Sequence, residues 1–166
     1  ANGVDIMNYV IKQFLLASVS CATISVLFNI QKKNIFLCAI NGAICWTLYM
    51  VLTENNFSYI FSSLLCALLC GILGEFFARW QKTPVNCYFI IGVIPLVPGL
   101  KIYQSMNYFI NDNLEMGATE AVQSLFMAIA IAVGLMIASS VSKIFRNVKT
   151  QKELKRLKKI YKEKNQ

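Results

Sequence analysis

Charged residues along the chain leave five long stretches without any charge. They cover residues 13–31, 34–53, 55–74, 83–100 and 121–142, which are 19, 20, 20, 18 and 22 residues long. A helix that crosses the hydrocarbon core of a membrane needs roughly 20 apolar residues, within a range of about 17 to 25. The pattern therefore predicts an all-α integral membrane protein with about five transmembrane helices.

The fourth stretch contains a run that breaks helices, Ile94-Pro95-Leu96-Val97-Pro98-Gly99. Its two prolines remove two amide donors, and the glycine disfavours a regular helix. In lipid such a break is tolerated only where it is buried in protein or lines a watery cavity. We therefore expect the fourth helix to be broken at Pro95–Gly99, with a second half-helix that begins at Leu100.

The basic residues alternate with the spans. Lys32 and Lys33 follow the first span, Arg79 and Lys82 follow the third, and ten lysines and arginines follow the fifth. Because Lys and Arg remain cytoplasmic, the N-terminus is predicted to lie outside and the C-terminus in the cytoplasm.

The chain is predicted to have three parts. Residues 7–145 form the bundle and residues 146–166 a basic cytoplasmic helix, while residues 1–6 resemble a processing or cloning remnant before Met7.

Residues 143–166, which include the basic tail, carry the whole net charge of +8. Apolar residues at near-helical spacing within it suit an amphipathic helix on the anionic lipids of the inner leaflet. A plain orientation anchor is the simpler explanation, and RNA binding is disfavoured for a tethered tail.

The break is the first candidate site for chemistry. The free amides at the start of the second half-helix carry a partial positive charge, and Lys101 adds a full one. Pro95, Pro98, Gly99, Lys101 and Tyr103 are therefore predicted to form a carboxylate site. The alternative is a kinked span along which Lys101 extends to the membrane surface.

Other polar residues are ambiguous. Glu75 and Arg79, at spacing four, predict an ion pair within a helix, or a coupling site in which Glu75 takes up a proton or faces a substrate ammonium. Asn29 and Asn41 either line a polar path or bond across helices. The chain has six cysteines and no histidine, so we expect the cysteines to pack as small apolar residues, with no metal, no cofactor and no enzymatic activity.

Small residues at spacing four are expected where membrane helices pack. Ala130, Gly134 and Ala138 form such a row in the fifth span, Ala17, Cys21 and Ser25 in the first, and Ala67 and Gly71 in the third.

The proline-glycine run with Tyr103 resembles the signature of the C-terminal half of the threonine/serine exporter family. Further residues agree with this resemblance over Met7–Phe145: Val26-Leu27-Phe28-Asn29, Gly42 with Trp46, and Glu75, Ala78, Arg79, Lys82 and Pro84. The resemblance implies a subunit of a bacterial inner-membrane secondary transporter that exports threonine, serine or a dicarboxylate such as succinate.

The same resemblance implies a partner, because the N-terminal half of the fused exporters is missing from this sequence. We expect a second membrane protein to supply it, with a homo-oligomer as a further possibility and no nucleic acid. The alternative is a membrane scaffold that recruits a partner through its basic tail and transports nothing.

Overall fold

The computed structural model describes the backbone of residues 3–164 and the side chains of residues 7–144. Six α-helices follow one another: α1 Gly3–Leu27, α2 Lys32–Glu54, α3 Tyr59–Gln81, α4 Asn86–Val93, α5 Gly99–Ile110 and α6 Leu114–Lys164. A 3₁₀ turn, Ile94–Leu96, connects α4 towards α5. No strand occurs in this part of the chain.

Four helical segments are long and apolar enough to cross a membrane: Met7–Leu27, Lys32–Glu54, Tyr59–Gln81 and Leu114–Ile144. The pair Asn86–Leu96 and Gly99–Ile110 passes the same test only when taken together, and it is bent by 43°, as a broken span or a re-entrant loop would be. The all-α membrane fold and the break in the fourth helix are therefore confirmed.

The helices place their turns at two ends of the bundle. Glu54, the last residue of α2, and Asp112, in the turn after α5, lie at one end, which we call the acidic end. Lys32, Lys82 and Lys143 lie at the other, which we call the basic end. This arrangement follows from the antiparallel order of successive spans.

Helix α2 packs against α1, α3 and α4, and α3 also packs along α6. Small residues allow these close approaches: a Cβ on Gly71 would collide with Ala138, and one on Gly134 would lie 2.7 Å from the carbonyl oxygen of Leu64. The rows predicted in the third and fifth spans therefore face each other. Cys21 of the first row packs against Gly42 of α2.

The predicted boundary between bundle and tail does not interrupt the backbone, because α6 continues without a break to Lys164. The side chains of the basic tail, residues 146–166, and those of residues 1–6 lie outside the described residues. The lipid-binding role of the tail therefore stays a prediction.

Candidate functional site

The break between the two half-helices is short and mostly hydrogen-bonded. The amide of Val97 donates to the carbonyl of Ile94 over 3.2 Å, and the amide of Gly99 donates to the carbonyl of Val97 over 2.7 Å. Pro98 then caps α5, since its carbonyl accepts from the amide of Ile102 over 3.1 Å. The amides of the first turn of α5 lack partners within the helix, as at any helix start.

Gly99 leaves this helix start open. A Cβ added at Gly99 would meet no heavy atom within 4 Å, and Gly99 does not adopt a positive φ. Neither steric contact nor backbone conformation therefore requires a glycine here. The effect of the missing side chain is a clear approach to the backbone at the start of α5.

Lys101 follows in the first turn of α5, and its charge is paired. Its Nζ donates to Oε2 of Glu120 over 2.9 Å and to Oε1 of Gln123 over 2.8 Å. The same Nζ lies 4.6 Å from the centre of the Tyr59 ring, a cation–π contact. Lys101 and Glu120 are both partly buried, with 17% and 25% of their side chains exposed. The sequence predicted that Lys101 adds a full positive charge at the break, and the structure pairs this charge with Glu120 of α6.

The ion pair lies at the acidic end of the bundle. Tyr59, over which Lys101 sits, is the first residue of α3. Lys101 and Glu120 also end the uncharged stretches of the fourth and fifth spans. The candidate site therefore lies at the acidic end of the bundle, next to the start of α3.

A cavity of about 380 Å³ adjoins the ion pair. Tyr59 and Gln123, which both contact Lys101, are part of its wall, together with polar groups of Thr53, Asn56 and Ser58. Small-molecule sites usually enclose about 300–1,000 Å³ and combine an apolar lining with a few polar groups. The acidic end thus offers a charged pair beside a cavity of suitable size.

Glu75 and Arg79 form a second polar cluster at the basic end. Their side chains lie 3.7 Å apart, and Arg79 donates to the carbonyl of Ser142 over 3.1 Å and also to the Ser142 hydroxyl. The cluster therefore ties α3 to α6. Sixteen residues of α3 separate Tyr59 from Glu75, about 24 Å along the helix, so the two clusters form separate sites.

The chain matches the family described as threonine/serine exporter, ThrE, over residues 13–141. The match covers the bundle from α1 to the end of the fifth span. The chain belongs to the threonine/serine exporter family. No solved structure matches it.

Family membership places this exporter homologue among membrane transport proteins. Its described side chains contain no group of three or more histidine, cysteine and carboxylate residues that could hold a metal ion.

The remaining predicted residues of the exporter chain do not join the site. Tyr103 is exposed and, two positions after Lys101, projects from the opposite face of α5. Asn29 is exposed in the turn after α1 and adopts φ 52°, a left-handed conformation that asparagine tolerates. Pro98 is buried at the break, whereas Pro95 lines a separate groove beside α1.

Asn41 bonds across helices, one of its two predicted roles. Its Nδ2 donates to the carbonyls of Cys70 on α3 and Tyr88 on α4, over 3.4 and 3.3 Å. Asn41 is fully buried, and its Oδ1 has no partner among the described residues. This asparagine joins three helices in the interior of the bundle.

Sequence reasoning missed Glu120, Gln123 and Tyr59 as partners of Lys101. A signal for the first two was available, because residues equally distant from the Asn111–Asp112 turn face each other in a helical hairpin. Glu120 and Gln123, three residues apart, share one face of α6. No local pattern indicated Tyr59, which belongs to another hairpin.

Proposed function

We propose that this chain is a subunit of a secondary transporter that exports a small zwitterionic amino acid such as threonine or serine. The acidic end faces the outside of a bacterial inner membrane, and the C-terminus lies in the cytoplasm. The substrate occupies the space between Lys101, Glu120 and the adjoining cavity before it leaves. The ion pair beside the open start of α5 is the observation that carries this proposal.

A zwitterion complements the ion pair at both of its charges. The substrate carboxylate takes the place of Glu120 as the partner of Lys101, and it is stabilised further by the free amides of α5. The substrate ammonium then pairs with Glu120. Both charges of the pair stay compensated throughout, so the exchange avoids leaving an unpaired charge in a partly desolvated place.

The same pair disfavours a dicarboxylate. One carboxylate of succinate could pair with Lys101, but the second would lie near Glu120, and like charges at close distance repel each other. Of the two substrate classes that the sequence suggested, the amino acid is therefore the better fit.

The polar cavity supplies room for the side chain of the substrate. Gln123 has an amide that can donate to a hydroxyl or a carboxylate, and Thr53 and Ser58 line the same cavity. The separate Glu75–Arg79 pair at the cytoplasmic end remains a candidate for coupling or for holding α3 against α6. A second membrane protein completes the transporter in this proposal.

The test is threonine export from cells that carry the chromosomal neighbours of the gene and that express Lys101→Gln or Glu120→Gln. Losing a charge-assisted contact should cost about 1.5–3 kcal/mol. Because each 1.4 kcal/mol is a factor of ten, export at low substrate should fall roughly tenfold to a hundredfold. Lys101→Arg should be milder without being neutral, because the guanidinium is larger than a compact ammonium. Lys143→Gln is the matched control, since it removes a lysine at the opposite end.

The preference of the transporter between two substrates tests whether the Lys101–Glu120 pair binds substrate or only holds α5 on α6. Threonine and 3-hydroxybutyrate differ by the ammonium group, so wild-type protein should prefer threonine in competition, and Glu120→Gln should narrow that preference. If the Lys101→Gln variant, present at the normal protein level, exports threonine as fast as the wild type, Lys101 does not bind the substrate. Only the backbone of the break would then remain as a binding element. Equal losses for both compounds in both variants would reduce the pair to a contact that holds α5 on α6.

A further inference from the structure

Two adjoining cavities lie between α3 and α6 near the basic end of the bundle. The first, of about 360 Å³, has a wall made largely of the apolar residues Ile72, Phe76, Ala138 and Val141. We call it the α3–α6 groove. The second, of about 200 Å³, which we call the basic cavity, is lined by cationic and hydroxyl side chains that include Arg79, Lys82, Thr83, Ser142 and Lys143. The two cavities share Glu75, Arg79 and Ser142.

The α3–α6 groove belongs to the surface that faces the lipid hydrocarbon. Ile72, Phe76 and Val141 are 51%, 63% and 42% exposed, and they lie in helical segments long and apolar enough to cross a membrane. Ile72, Phe76 and Arg79 share one face of α3 because they are spaced by four, three and seven residues. The groove therefore leads along α3 into the basic cavity over about 10 Å. An acyl chain suits an apolar groove in this position.

The basic cavity has an excess of positive charge. Its three cations accompany a single carboxylate, that of Glu75, which gives a net charge of +2. Lys82 and Lys143 form no ion pair within residues 7–144. Arg79 uses the same nitrogen, Nη2, for Glu75 and for both contacts with Ser142. Its Nε and Nη1 therefore have no partner among the described side chains, and they remain available to an anion such as a phosphate.

The basic cavity also lies where lipid head groups are expected. Lys82 directly follows the candidate span Tyr59–Gln81, and Lys143 is the next-to-last residue of the candidate span Leu114–Ile144. Basic residues at the ends of spans mark the cytoplasmic side of a membrane. Basic pockets between membrane helices on that side bind anionic lipid head groups. The position of the cavity thus agrees with its charge.

We propose that the α3–α6 groove and the basic cavity together bind one anionic phospholipid. An acyl chain lies in the groove, and the phosphate lies in the basic cavity next to Arg79. The hydroxyl of Ser142 accepts from Arg79, so its own hydrogen can be donated to the phosphate. A free phosphate ion would use the cavity alone, and the groove that continues from the cavity favours the lipid.

The bound lipid connects α3 and α6 at the end opposite to Lys101 and takes no part in the proposed substrate exchange there. The inference therefore stands independently of the exported substrate. It also differs from a general attraction between the basic tail and the membrane surface, because it assigns one lipid molecule to one pocket of the bundle.

The experiment measures lipid binding by native mass spectrometry. The whole chain, purified in mild detergent, is titrated with phosphatidylglycerol or with phosphatidylcholine of the same acyl chains. Both lipids contain a phosphate, but the choline group cancels its charge, so the first phosphatidylglycerol should bind more tightly. The double variant Lys82→Gln, Lys143→Gln should weaken phosphatidylglycerol binding about tenfold to thirtyfold, because each basic residue near the head group contributes to the attraction.

A matched control separates the pocket from overall charge. The double variant Lys32→Gln, Lys33→Gln removes the same charge at the same end of the bundle, from the start of α2, which lines neither cavity. It should leave the affinity for phosphatidylglycerol unchanged. Equal losses in the two double variants would show that surface charge or the tail holds the lipid, and would overturn the proposal.

A further arm separates a lipid from a free anion. Val141→Trp fills the groove without changing any charge and should weaken phosphatidylglycerol binding. Phe76→Ala, which removes part of the groove wall, should have the same effect and serves if the tryptophan disturbs folding. An excess of inorganic phosphate should not displace the lipid, because phosphate gains nothing from the groove. Equal affinity for the two lipids, undiminished binding in both groove variants, or displacement by inorganic phosphate would each overturn the proposal.

Discussion

At the scale of single residues, the meaning of a polar side chain in this protein depends on its neighbours. In the sequence, Lys101 is a single lysine that follows the fourth uncharged stretch. In the fold it has three partners, Glu120 and Gln123 of α6 and Tyr59 of α3. Asn29 and Asn41 have the same chemistry, yet one occupies an exposed turn and the other joins α2 to α3 and α4. Side-chain identity alone could not distinguish these cases.

Asn41 provides the first test at this scale. Asn41→Ala removes the hydrogen bonds to Cys70 and Tyr88, and such interhelical bonds contribute about 0.6 to 1.7 kcal/mol in membrane proteins. We expect lower thermal stability in mild detergent, measured by the loss of helical circular dichroism on heating. Gln104→Ala, on the exposed side of α5, is the control and should leave the transition unchanged. Equal transitions for both variants would show that the Asn41 bonds contribute nothing to stability.

At the scale of elements, glycines mark two opposite situations. Gly134 allows α6 to approach the backbone of α3, since a Cβ there would lie 2.7 Å from the carbonyl oxygen of Leu64 and 3.1 Å from the amide of Leu68. Gly99 stands at the start of α5 with open space around it. The sequence shows the same residue at both positions, and only the packing separates a steric requirement from an open approach.

A matched pair of substitutions tests this difference. Gly134→Ala should destabilise the α3–α6 contact, because forcing an extra carbon into a packed interface costs about 1–3 kcal/mol. Gly99→Ala adds the same methyl group and should leave stability unchanged, as measured by the midpoint of thermal unfolding in detergent. A Gly134→Ala protein as stable as the wild type would contradict the close packing of α3 on α6.

At the scale of the whole molecule, the charges divide the bundle into two ends with separate clusters. The Lys101–Glu120 pair lies at the acidic end and the Glu75–Arg79 pair at the basic end. Tyr59, which contacts Lys101, and Glu75 are about 24 Å apart along α3. Because Lys and Arg remain in the cytoplasm, this polarity predicts the orientation of the protein in its membrane.

The orientation is tested by the accessibility of introduced cysteines. Glu54→Cys should react with a membrane-impermeant maleimide in intact cells, and Lys152→Cys should react only after the membrane is permeabilised. The six natural cysteines are replaced by serine or alanine beforehand, and threonine export of that background serves as the control for folding. Labelling of both positions from one side would show that the number of crossings between them is even rather than odd.

The sequence by itself determined the class of the fold, the spans and the break. Twenty or so uncharged residues can satisfy their backbone groups in lipid only as a helix, and two prolines interrupt a helix wherever it packs. The family followed from the proline-glycine run. These features depend on local chemistry, which a linear pattern records completely.

Only the tertiary structure decided how the polar residues combine. It joined Lys101 to Glu120, Gln123 and Tyr59 at the acidic end and placed Tyr103 on the opposite face of α5. It also turned Lys101, Ser105 and Phe109 of α5 towards α6 and left Tyr103 and Met106 exposed. The physical reason is that the rotation of a helix about its axis and its depth beside its neighbours depend on contacts between distant residues. Those contacts are absent from any local pattern of hydrophobic and polar positions.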